Sequence, residues 1–367
     1  MNAAPAANAW GRGQGLQAVK RAVLHVARAL GLFRLARWMT RDANRVLCYH
    51  GFNMVDEGRF RPSMYMPPEL FAARLDFLRR HGFPVLTLSD AEAQTRAGVA
   101  PPCTTVITID DGWYSTYAQA LPLLRERHMP ATIYVTSYYM DKQTPVYGMC
   151  VAYLFWKSRA RPVDLSTLGV PGLEQARDVD PGDGESVATF VDTLIAHGED
   201  ACDQAGRERL LAALAQVLEV DLQAVVNARL LGLVTADELA EMKAAGWDVQ
   251  LHTHRHRLPV DMAGASREIA DNRARLERIA GRPLGHFCYP SGDWLPAHLA
   301  VLRGCGIESA TTCDPGLVYR STERLAMPRI MDTPNMAAIE FEAEMYGFAD
   351  ILRRAVALVG LRRGRNA

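Results

Sequence analysis

The stretch TTVITIDDG, residues 104–112, decides how this chain reads. The β-branched run Thr104 to Ile109 has the pattern of a strand buried on both faces, as in a parallel sheet. It ends on two consecutive aspartates and a glycine. Carboxylates at the end of a buried strand are costly unless they are paired or bound to a metal. Adjacent strand residues point to opposite faces, so Asp110 and Asp111 serve one site only if the chain turns there, and Gly112 permits such a turn. A second reading stands beside it: the two carboxylates cap the helix that follows.

Outward from this strand, β and α segments alternate. RVLCYHGF (45–52), FPVLTLSD (83–90), PATIYVTSYY (130–139), WDVQLHTH (247–254), GHFCYPSG (285–292) and ESATTC (308–313) read as strands. Between them lie helices such as PPELFAARLDFLRRHG (67–82), with prolines at its start and Gly82 at its end. TADELAEMKAAG (235–246) opens with a capping box of Thr235 and Glu238. Repeated β–α units predict an α/β fold: a parallel sheet or barrel with helices outside, and sites at the C-terminal ends of the strands. The alternation breaks over residues 145–233, where helical segments flank the acidic joint DVDPGDGES (178–186), which reads as an insertion. The organisation expected is a basic helical extension over 1–44, a main domain over 45–335 containing that insertion, and a C-terminal helix with a basic tail over 336–367.

The chain has 367 residues, 49% of them apolar and 22% charged, enough for a sizeable core. Its formal net charge of +0 argues against bulk nucleic-acid binding. The charge is unevenly placed. Arg12, Lys20, Arg21, Arg28, Arg34, Arg37, Arg41 and Arg45 fall in the first 45 residues against one acid, Asp42. Leu16, Val19, Val23, Val26, Leu30 and Phe33 recur there at three- and four-residue steps, the mark of an amphipathic helix. Two readings stand for it: a helix packed on the main domain, or one lying on anionic lipid. No signal peptide or spanning segment is visible, and seven cysteines without a C-x-x-C read as reduced thiols. The expected location is cytoplasmic, or peripheral at the inner membrane.

HTHRH, residues 252–256, places His252 and His256 four apart at the end of strand WDVQL. On a helical turn that spacing puts both on one face. Asp110 and Asp111 end their strand in the same way, and CYPSG (288–292) ends a third. One carboxylate with two imidazoles and an open position is a catalytic metal arrangement, and the other carboxylate is free to accept a proton. Zinc suits such donors.

TIDDG (108–112), HTHRH and FCYPSG (287–292) together resemble the motifs of the polysaccharide deacetylases of the NodB-homology type, carbohydrate esterase family 4. The resemblance spans roughly residues 45–335, outside the insertion. It implies a distorted (β/α) barrel of fewer than eight strands. It also implies that Asp110 is the general base, that Asp111, His252 and His256 hold a divalent metal, and that the Ser291 backbone N–H receives the oxyanion. The implied reaction is removal of an N-acyl group, most simply acetyl, from an amino sugar of a polysaccharide, an oligosaccharide or a lipid-linked precursor.

Two departures stand out. Cys288 occupies the position of the arginine that orients the base in the family, and the late histidine that supplies the general acid is missing from RLAMPRIMD (324–332). His50 and His254 are the candidate replacements. Arg329 and Asp332 are candidates for the rim or for surface ion pairs, His286 reads as structural, and Trp113, Tyr114 and Trp294 read as sugar-stacking or core aromatics. A binding or scaffold protein that has lost catalysis, and a hydrolase of a non-sugar amide, are the rival readings.

Overall fold

The computed structural model describes residues 10–160 and 162–364. Seven parallel strands close into a ring: β1 (Arg45–Tyr49), β2 (Thr105–Ile109), β3 (Thr132–Val135), β4 (Asp248–Leu251), β5 (His286–Cys288), β6 (Ser309–Pro315) and β7 (Met327–Met331). Each strand pairs with its neighbours in sequence, and β1 pairs with both β2 and β7. The fold is thus the (β/α) barrel with fewer than eight strands. Of FPVLTLSD only Val85–Leu86 is strand, pairing with the start of β2 before β3 joins it.

Strand alternation sorts the barrel into two layers. Leu47, Ile107, Ile133, Val249, Phe287 and Ile330 point outward into the main apolar core. Their partners there come from helices packed around the ring: Leu75 of α3 (Pro68–Arg80), Met242 of α4 (Ala236–Ala244) and Leu276 of α5 (Met262–Ala280). The inward positions are more polar. Val46, Val106, Tyr134, Cys288 and Met327 form a small separate cluster with Leu88, Ala91 and Val318, and Thr108, Gln250 and Arg329 are buried alongside. The capping box of α4 is present, with Thr235 N–H donating to Glu238 Oε2 at 2.7 Å.

Before the barrel come α1 (Trp10–Ala29) and α2 (Leu32–Met39), separated by Gly31 at φ 77°. After it come α6 (Ala338–Met345) and α7 (Phe348–Gly364). Residues 1–9 lie outside the described residues, as do the side chains of the basic tail beyond residue 357.

The helices of the insertion, among them Tyr147–Lys157, Gly184–Asp200 and Gln204–Val217, gather a second core around Leu154, Leu194 and Leu214. Trp113, one residue beyond the β2 turn, is part of that core. The insertion is thereby anchored beside the end of β2, next to the carboxylates.

Candidate metal centre and active site

At the end of β2 the chain turns at Asp111 itself, whose φ is 71°, and again at Gly112, φ 87°. The left-handed turn lets both carboxylates face one site. A β-carbon on Gly112 would stand 3.0 Å from Val135 Cγ1, so the position also needs the missing side chain. Left-handed backbone in a non-glycine residue costs on the order of 1–3 kcal/mol and collects at functional sites. Here it recurs at Thr253 (φ 63°), His256 (φ 56°) and Ser291 (φ 58°).

HTHRH is a bent loop beyond β4, not a helical turn as its spacing suggested. The positive φ values at Thr253 and His256 fold it back, and Thr253 Oγ1 accepts a hydrogen bond from Arg257 N–H at 3.1 Å. The result still brings the two rings together, with centroids 4.9 Å apart. Nε2 of His252 and Nε2 of His256 each lie 3.1 Å from Asp111 Oδ1. His252 is buried and His256 is exposed at the rim.

The surroundings orient these three donors. His252 Nδ1 lies 2.8 Å from the Cys288 carbonyl. A carbonyl only accepts, so Nδ1 carries a proton, and in the neutral ring Nε2 is the nitrogen left to bind a cation beside Asp111. Trp113 Nε1–H donates to the other Asp111 oxygen at 2.7 Å. His252 N–H donates to Asn272 Oδ1 on α5, and Asn272 Nδ2 donates to Val135 O and Ser137 Oγ. Burial lowers the His252 pKa, but Asp111 and Asp110 outweigh it and the net shift is upward. Burial raises the Asp111 pKa, and the two imidazoles outweigh that and hold it well below the usual carboxylate range. Two imidazole nitrogens and a carboxylate oxygen, all within 4.8 Å of one another and fixed by outer hydrogen bonds, fit a divalent cation.

Asp110 continues the inward parity of Val106 and Thr108 and is buried. Arg329 grips it with both terminal nitrogens, Nη1 to Oδ1 and Nη2 to Oδ2, each at 2.8 Å. The guanidinium also donates to the Thr312 carbonyl at 2.8 Å and to Thr108 Oγ1 at 3.1 Å. Arg329 shares the inward face of β7 with Met327, two residues before it, while β6 runs on from Thr311 to Pro315 over the same interval. The thiols of Cys288 and Cys48 donate to Asp110 Oδ2 at 3.4 and 3.6 Å. Burial pushes the Asp110 pKa up, but Arg329 outweighs it and sets the value at about 2.

Of the other candidates, His50 sits at the cluster, with Nε2 3.8 Å from Asp110 Oδ2 and the side chain partly exposed. His254 is turned away: its Nδ1 is 2.9 Å from Ser137 Oγ and its ring meets Tyr138 edge-on at 5.6 Å. Its charged neighbours are Arg275, Arg255, Glu268 and Asp271, and it does not join Asp110 and Asp111. Ser291 is exposed on the turn after β5. Arg329 is wholly buried in the barrel, not a surface ion pair. Asp332 is buried too, on the outside of the ring, paired with Arg74 at 3.1 Å and Tyr49 at 2.9 Å. Trp113 is buried and committed to Asp111, so it offers no stacking face. Tyr114 lies under Arg229 at 3.8 Å, and Trp294 stacks on Tyr289 at 6.0 Å. His286 hydrogen-bonds Ser309 within the barrel, as a structural residue does. Cys48 and Asn272 went unrecognised in the sequence. A lone amide on the buried face of α5, between Ile269 and Leu276, was the available signal for Asn272.

The polysaccharide deacetylase family model matches residues 98–163 and 204–310. No curated protein matches. Among solved structures, the Streptococcus pyogenes deacetylase PplD, in complex with acetate, superposes at TM-score 0.55 with 16% identity, covering 83% of this chain and 98% of that one. IcaB from Ammonifex degensii superposes at 0.51 with 19% identity, covering 83% and 97%. A de-N-acetylase from Aggregatibacter actinomycetemcomitans superposes at 0.52 with 13% identity, covering 82% and 99%. At such identities the likeness speaks for the fold.

Proposed function

The chain belongs to the polysaccharide deacetylase family, hydrolases of carbon–nitrogen bonds other than peptide bonds, and we propose that it removes an N-acyl group, acetyl in the simplest case, from an amino sugar. The substrate in this reading is an N-acylated polysaccharide, oligosaccharide or lipid-linked glycan precursor. The observation that carries it is the convergence of Asp111, His252 and His256 beside a separately held Asp110.

In this mechanism Asp111 Oδ1 and the two Nε2 atoms hold a divalent cation, zinc being the best match to the donors. When bound, such a cation supplies Lewis acidity toward the acyl carbonyl and the attacking water. Asp110 takes the proton from that water as it attacks the carbonyl carbon. Arg329 keeps Asp110 ionised and fixes its plane with two parallel hydrogen bonds. The Ser291 N–H receives the negative charge that develops on the carbonyl oxygen, a role that needs only backbone. His50 is the imidazole beside Asp110 and returns a proton to the leaving amine. Cytoplasmic residence belongs to the same proposal, in keeping with seven unpaired thiols.

The test is release of acetate or formate from a panel of N-acylated sugars, with metal content measured on the same protein. Acyl release that tracks metal content supports the reading. Full activity in metal-free protein contradicts it. Measurable saccharide affinity without any release would favour the binding or scaffold reading instead.

A further inference from the structure

α1 sits on the domain the opposite way round from an ordinary amphipathic helix. Leu24 and Ala27 are buried against it, and its cations clasp the acids of α6: Lys20 to Glu340 at 2.9 Å and Arg28 to Glu342 at 3.1 Å. The apolar stripe therefore faces out. Leu16 is 73% exposed, and Val19, Val23, Val26 and Leu30 are all more than half exposed. α2 repeats the arrangement: Phe33 and Ala36 are buried, while Leu35, Trp38 and Met39 are exposed. Soluble surfaces rarely leave so many large apolar side chains together without a partner. Among the described residues no helix is long and apolar enough to cross a membrane.

Charge identifies what covers this face. Residues 10–41 hold seven Lys and Arg and no Asp or Glu. Arg34 is exposed; Arg37 donates to the His81 and Gly82 carbonyls and lies over the Phe83 ring, with no carboxylate among these partners; Arg41 lies over the Trp38 ring at 5.7 Å and 3.9 Å from the exposed Asp42. Exposed leucines and valines with a tryptophan and a fringe of arginines are the composition of a helix lying in the headgroup region of an anionic bilayer. A second copy of the chain fits less well, because an isologous contact would set these arginines against their own counterparts. The open groove beside α1 is lined by Lys20, Arg21 and Leu24 on one side and by Thr333 and Asn335 on the other. Those last two lie on the loop that leaves β7 just after Arg329 and Asp332. A bilayer on α1 therefore adjoins the rim of the barrel that carries the site.

We propose that α1 and α2 form a surface that seats on an anionic lipid bilayer. Seating needs no catalysis, so it stands apart from the deacetylase reading. The test uses the full chain, co-sedimented with vesicles of phosphatidylcholine alone or mixed with phosphatidylglycerol, at low and high salt. We expect recovery with the anionic vesicles, a loss with salt, and about a tenfold drop for V19E/V23E/V26E and for R34E/R41E. Because these residues are exposed, the variants should keep the unfolding temperature of the parent, which circular dichroism checks. Equal recovery of parent and variants overturns the proposal. So does a parent that ignores both vesicle types, whether it runs as a monomer or as a dimer that the V19E/V23E/V26E variant dissociates.

Discussion

Arg329 and Asp110 form a buried two-pronged ion pair across the barrel, both contacts at 2.8 Å, although they lie 219 residues apart in sequence. The family's pattern asks for an arginine at Cys288. Here Arg329 Nη2 lies 3.3 Å from Cys288 Sγ, so a guanidinium from β7 occupies the neighbourhood that the pattern fills from β5. Replacing Arg329 by Met leaves a buried carboxylate without its partner. That should cost about 3–5 kcal/mol, read from urea unfolding, and should lower kcat more than KM. The double variant C288R/R329M should recover part of the activity, because it returns the guanidinium to Asp110 from β5, where the Cys288 thiol already lies 3.4 Å from Asp110 Oδ2. If the double variant stays as inactive as R329M while folding well, Arg329 does more than position Asp110.

Metal holding and proton transfer fall to different aspartates. D110N should retain its metal, since Asp110 is engaged by Arg329 and not by the two imidazoles. Its activity should fall by a factor on the order of 10²–10⁴, the usual worth of a general base. Elemental analysis beside an acyl-release assay reads both quantities. Loss of metal from a folded D110N would move Asp110 into the ligand set.

Trp113 supports the site from the second core. Its indole N–H holds the Asp111 oxygen that the imidazoles do not use. W113F removes that hydrogen bond while keeping a large ring, and should weaken metal affinity by about 10–100-fold, the range typical of outer hydrogen bonds to metal ligands. Competition with a chromogenic chelator measures it, and unchanged affinity would leave Trp113 a packing residue only.

His286 gives the fold a measurable acid sensitivity. Burial pulls its pKa from 6.5 down to about 4, so the folded state keeps it neutral where the unfolded chain protonates it. Its contribution is full above pH 6.5 and is lost as pH falls toward 4, by roughly 3 kcal/mol. The variant H286Q should lose stability less steeply across that interval, as urea midpoints between pH 7 and 4 would report. Parallel slopes for parent and variant would assign the acid sensitivity to other groups.

Much of this was legible along the chain because two periodicities carry it. β-branched runs such as Thr104 to Ile109 mark strands covered on both faces, and residues at their C-terminal ends meet on one rim whatever their separation in sequence. That is why one carboxylate of the Asp110–Asp111 pair could be joined to His252 and His256 before any geometry was known; the choice of Asp111 came from the family resemblance. Conformation at single residues was not legible. The turn falls on Asp111 as well as Gly112, and HTHRH bends through left-handed backbone where its spacing suggested a helix. Direction was not legible either. Nothing local says which face of β7 turns inward, and so that Arg329 lies there with Met327, or that His254 turns to Ser137. The apolar stripe of α1 was readable as a stripe, but which side it shows depends on Glu340 and Glu342, more than 300 residues away.

The central claim is that one cation sits between Asp111, His252 and His256. Anomalous diffraction at the zinc edge, from crystals of zinc-loaded protein, tests it most directly. The expected result is a single strong peak about 2.0–2.2 Å from Asp111 Oδ1 and both Nε2 atoms, lost in the H252A and H256A variants. A peak instead on the neighbouring cluster of Cys48, His50 and Asp110, or none near these side chains, would contradict the account.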